Sequence, residues 1–73
     1  MQEIIQIDCR QMEHPEPMLA VLGACSKLQP GQQVQMLHRI TPHPLFPKLN
    51  ERGLDYRIEE REGHIEVWIF HKK

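Results

Sequence analysis

The groups in this chain able to do chemistry are five histidines, two cysteines and a knot of charged residues near the N-terminus. Three of the histidines, His14, His38 and His43, stand in or beside proline-containing stretches where a chain turns between elements. Imidazole is the natural side chain for ligating a metal or exchanging a proton near neutrality. Asp8, Arg10, Glu13 and Glu16 lie around His14, offering carboxylates to complete a metal site and a guanidinium shaped for an anion. Arg10, His14, His38 and His43 are therefore the candidate ligand contacts, and the three histidines are the candidate metal ligands. Each has a plainer alternative. His14 would serve as a helix cap, His38 as a hydrogen-bonded histidine at the edge of the core, and His43 as a solvated loop residue. Arg10 would simply pair with Asp8 or a helix carbonyl. The spacing of His38 and His43 carries no strong metal signature. His64 and His71 are expected on the surface of a terminal hairpin.

Cys9 and Cys25 show no CxxC, zinc-ribbon or haem-attachment spacing. Cys9 falls in a loop and is a candidate displaced nucleophile, but the helix start that would activate a thiol lies several residues on, and no base stands beside it. Cys25 belongs to an apolar stripe and reads as a small buried hydrophobe. No hydrolase triad, Walker loop or dinucleotide fingerprint occurs, so an enzyme is not the expected reading.

Composition narrows the field further. Seventy-three residues, 40% hydrophobic and 26% charged with a formal net charge of -1, make one ordinary globular domain spanning 1–73. Nine Lys and Arg are dispersed among ten acids, so no basic stripe exists to displace counterions from a nucleic acid. The stretch from Met1 to Asp8 has only three isoleucines and no preceding basic region, which is neither a signal peptide nor a membrane span. A cytoplasmic protein with free thiols is expected.

Positioning those residues requires alternating short elements. Ile4-Ile5-Gln6-Ile7 predicts a first strand. Pro15 and Pro17 are tolerated only in the first turn of a helix, which predicts a helix starting near His14. Met18, Val21, Leu22, Cys25 and Leu28 give it one apolar stripe, ending before Pro30-Gly31. Gly23 inside it points either to close packing or to a tolerated imperfection. Val34, Met36 and His38 share one face of a second strand. Leu45, Leu49 and the stop at Gly53 outline a short second helix after the proline-dense run from Thr41 to Pro47. Leu54, Tyr56 and Ile58, a turn at Glu62-Gly63, and Ile65, Val67 and Ile69 predict a terminal hairpin. The fold class is an α/β two-layer sandwich of order β-α-β-α-β-β, a four-stranded mixed sheet with two helices on one face. Trp68 and Phe70 would then lie on the uncovered face, either shielding an open sheet or forming an interaction patch.

The run Asp8-Cys9-Arg10-Gln11-Met12-Glu13-His14-Pro15-Glu16-Pro17 resembles the Asp-x-Arg-Gly-Leu-x-Cys-Pro-x-Pro signature of the TusA-like (SirA-like) sulfur carriers. Asp8, Arg10, Pro15 and Pro17 match. Gln11 and Met12 replace the glycine and leucine, and His14 replaces the reactive cysteine. Imidazole cannot hold a transferable sulfane sulfur, so the carrier chemistry does not follow the resemblance. A second stretch, Leu37-His38, Pro42-His43-Pro44-Leu45-Phe46-Pro47 and Glu51-Arg52-Gly53, resembles an uncharacterised branch of that superfamily. That branch, a domain of unknown function, lacks the carrier cysteine and is sometimes joined to hemerythrin-like domains.

With the first two strands parallel, the loops that follow them emerge at one edge of the sheet, where ligands commonly bind, and His14, His38 and His43 are expected to gather there. The leading expectation is a non-enzymatic binding or interaction module using that edge, with a protein partner or small ligand and no nucleic acid or membrane. One alternative is a metal- or haem-linked module in respiratory or nitrogen-oxide metabolism, with a hemerythrin-like partner as the resemblance implies. The other is a sulfur carrier using Cys9.

Overall fold

The computed structural model describes residues 3–72. Met1 and Gln2, at the head of the stretch weighed above as a signal or a membrane span, lie outside the described residues. Among the described residues no helix is long and apolar enough to cross a membrane.

The sheet is built from strands in which every second residue faces the helices. β1 (Glu3–Asp8), β2 (Gln32–His38), β3 (Leu54–Arg61) and β4 (His64–His71) stand in the order β1-β2-β4-β3. β1 pairs with β2 in parallel, and β4 pairs antiparallel with both β2 and β3. The register aligns two inward rows across all four strands. One runs Ile5, Val34, Ile69, Tyr56 and the other Ile7, Met36, Val67, Ile58. Val34, Met36, Val67 and Ile69, in the two central strands, are completely buried, as expected where both neighbours and a helix layer cover them. Ile58 ends its row on the edge strand and remains 38% exposed.

α1 (Glu16–Cys25) and α2 (Leu45–Glu51) lie on that same face, since Val21, Cys25, Leu45 and Leu49 join the strand residues in one core cluster. α1 begins two positions later than the proline spacing predicts, with Pro15 at the N-cap and Pro17 in the first turn. It also ends earlier. Beyond Ser26 the chain tightens, Lys27 N–H donating to the Ala24 carbonyl and Leu28 N–H to that of Cys25, both at 3.1 Å. Leu28, the last member of the predicted stripe, is buried from this turn rather than from the helix. α2 closes at Arg52, and Gly53 at φ 73° supplies the left-handed residue that turns the chain into β3.

Gly23 proves to be an imperfection and not a close approach. It is exposed, and a Cβ placed there would meet nothing within 4 Å. Gly23→Ala should therefore stabilise the domain by roughly 1 kcal/mol, a rise in Tm of about 4–8 °C. A thermal melt showing no gain would mean that the helix does not extend through this position.

The opposite face of the sheet carries a polar lattice with Trp68 set into it. The Trp68 Nε1–H donates to Glu66 Oε1 at 3.2 Å, and the Arg57 guanidinium lies 6.0 Å from the centre of its ring. Gln6 Nε2 donates to Gln35 Oε1 at 3.1 Å, and Arg61 pairs with Glu59 at 2.7 Å. Trp68 and Phe70 are both half-buried. The hairpin histidines are not free surface groups either. His64 sits 3.4 Å from Glu66, and His71 Nε2 reaches the Leu28 carbonyl at 2.7 Å, tying the end of β4 to the turn after α1.

Candidate functional site

Parallel pairing of β1 and β2 sends both following loops to the same edge of the sheet. A pocket of about 420 Å³ opens between them. Met12, Pro17 and Met18 form one wall, while Ile40, Pro42, Pro44 and Leu45 form the other. Pro17 and Leu45 are the buried members of these two walls, whereas Ile40 stands 68% exposed on the rim. Polar groups enter from Glu13, His14, His38, Arg39 and Thr41.

His38 is the only one of these polar residues that belongs to the buried set, with 9% exposure. It is the last residue of β2, on the same face as Val34 and Met36. Its Nδ1 accepts the backbone N–H of Arg39 at 2.8 Å. Desolvation, followed by the neighbouring Arg39 charge, lowers its pKa from the ordinary 6.5. The folded chain therefore binds fewer protons at His38 than the unfolded chain between that lowered value and about 6.5. Its contribution to stability is fully present above that window and is lost as pH falls through the folded pKa.

His14 is exposed on the pocket rim and makes no hydrogen bond among the described residues. His43 is exposed and does not line the pocket. Its ring meets Phe46 edge-on at 6.1 Å, and Phe46 in turn stacks on Tyr56 at 4.2 Å. Two of the three candidate histidines thus share one cavity.

A family described as "Uncharacterized conserved protein (DUF2249)" matches residues 6–71. The chain belongs to this family. No match was found among curated proteins or among solved structures.

In this DUF2249 domain Arg10 is committed to Asp8. Its Nε and Nη2 form a fork onto the two carboxylate oxygens at 2.9 and 2.8 Å, and its backbone N–H donates to Oδ1 at 3.0 Å. These hydrogen bonds hold the Asp8 carboxyl down at about 2. The pair closes the chain on itself where β1 leaves the sheet, so the guanidinium fork already holds an anion from its own chain.

The donor set does not fit a chelated metal ion. Among the described residues no group of three or more His, Cys, Asp or Glu is placed to hold one. Asp8 is bound by Arg10, and His38 has given its Nδ1 lone pair to a backbone amide. That leaves His14 as the pocket imidazole with neither nitrogen hydrogen-bonded among the described residues, and one ligand does not chelate a metal.

Cys9 is completely buried, and desolvation followed by the Asp8 charge raises its thiol pKa. A sulfur nucleophile needs the reverse on both counts. The residue continues the inward series Ile5, Ile7, Cys9, with its amide still donating to the Leu37 carbonyl at 2.7 Å. Cys25 is likewise buried, its thiol pushed up to about 11.

Met12, Met18 and Ile40 are the pocket residues that reading for reactive groups passes over. The signal for them was present. An isoleucine placed between Arg39 and Thr41, just past the end of a strand, has no core to enter and is left for the loop edge.

Proposed function

We propose that this domain is a non-enzymatic binding module that takes a small ligand in the pocket between the β1–α1 and β2–α2 loops. The observation that carries the reading is the cavity itself, about 420 Å³, walled by methionine, proline and aliphatic side chains with a few converging polar groups. That size and composition are typical of small-molecule sites. The reading supports a ligand with an apolar body rather than a polyanion. A partner such as a hemerythrin-like domain, and residence in the cytoplasm, are proposals resting on the resemblance and the composition. Membership of the TusA-like superfamily is a proposal too, supported by Asp8, Arg10, Pro15 and Pro17 in the first motif and by the β-α-β-α-β-β order.

The test uses 1-anilinonaphthalene-8-sulfonate, whose fluorescence rises on entering an apolar site. It should bind at one saturable site. Ile40→Glu should weaken that binding about tenfold, because a carboxylate replaces the apolar rim. Ile40 is exposed, so the variant should melt at the wild-type temperature. Non-saturating fluorescence, or unchanged binding by Ile40→Glu, would remove the pocket as the site.

A further inference from the structure

Resting on that reading of the pocket, we propose that His38 is its specificity-determining residue. It presents an N–H from Nε2, so the pocket selects an apolar molecule carrying a carbonyl oxygen over a bare hydrocarbon or a metal ion. Neutral imidazole has one protonated and one bare nitrogen. Because Nδ1 accepts the Arg39 N–H at 2.8 Å, it is the bare one, and the proton stands on Nε2.

Nε2 has no hydrogen-bond partner among the described residues. It is not sealed off either, since no buried, unpaired side-chain nitrogen or oxygen occurs among them. His38 is 9% exposed and lines the pocket, so its accessible edge opens there. This N–H opens on a pocket also lined by Met12, Met18 and Leu45, and it gains by meeting an acceptor on the ligand. The alternatives are each opposed by the geometry. Doubly protonated imidazolium would turn an N–H toward the Arg39 N–H. A metal bond at Nε2 would displace the ring proton while Nδ1 is already occupied. Turning the ring over would leave the Arg39 amide without its acceptor.

The probes are 1-tetralone and tetralin, which share a bicyclic skeleton and differ in the ketone oxygen. Titrated into the ¹⁵N-labelled protein, 1-tetralone should bind about tenfold more tightly than tetralin, the factor expected for one well-made hydrogen bond. His38→Leu should bring the two affinities together, and His38→Gln, which keeps an N–H at similar depth, should restore part of the difference. Long-range ¹H–¹⁵N spectra of the unliganded wild type should show Nε2 protonated and Nδ1 bare. If either His38 variant fails to fold, the wild-type affinity ratio and the ring spectrum decide the matter alone. Equal binding of both probes at the pocket, or a proton on Nδ1, overturns the role of His38 and leaves the pocket reading standing. Absence of binding by both probes, together with failure of the fluorescent dye to saturate, overturns the pocket reading and the His38 role with it.

Discussion

Val67→Asp should abolish cooperative folding. Val67 is completely buried in the third position of an inward row, between Met36 of β2 and Ile58 of β3. Its direct cross-strand neighbours, Met36 and Ile58, carry no side-chain donor for a carboxylate. Burying a charge, or even a protonated acid, without a hydrogen bond costs several kcal/mol. A small domain has roughly 5 kcal/mol to lose. Far-ultraviolet dichroism should show no sigmoidal transition, and Trp68 fluorescence should shift to the solvent-exposed wavelength. An unchanged melting temperature would mean that β4 is turned over, with Trp68 inward and Val67 outward.

Leu49→Ala should cost about 2–5 kcal/mol, the usual range for truncating a buried leucine where the surroundings cannot collapse. Within α2 only Leu45 and Leu49 are buried, and the helix has seven residues. A helix of that length does not persist in water by its own propensity, so its two anchors decide whether it forms. The urea midpoint should fall accordingly. Binding of the fluorescent dye should fall with it even under folding conditions, because Pro44 and Leu45, which wall the pocket, sit at the start of the loosened helix. Lys48→Ala, on the exposed side, should change neither quantity appreciably. A loss below about 1 kcal/mol for Leu49→Ala would show that α2 is held by something other than its buried pair.

The strands were readable because each repeats at period two and a central strand has only one face to give the helices. Val34, Met36, Val67 and Ile69 could hardly be assigned otherwise. Helix ends were less readable. Leu28 keeps the apolar spacing of α1, yet its burial comes from a tight turn that satisfies the same spacing without helical geometry. Histidine chemistry was readable only by location. The loop order places His14 and His38 at one cavity, but whether a side chain in a proline-rich turn faces that cavity depends on backbone angles that composition does not encode. His43 lies against Phe46 instead. Arg10 illustrates the remaining difficulty. Its guanidinium suits an anion as expected, and the nearest anion is Asp8, two positions away. The position of Cys9 could have been recovered by extending the parity of Ile5 and Ile7 one step further.

The group that fixes the His38 ring is a main-chain amide, and this gives the pocket an unusual robustness to mutation. Any residue at position 39 except proline supplies the same N–H, so the side chain there can drift without altering which nitrogen of His38 bears the proton. The hydrogen-bonding character of the cavity is thus inherited through the path of the backbone where β2 ends, and comparison of side chains alone would leave it unseen.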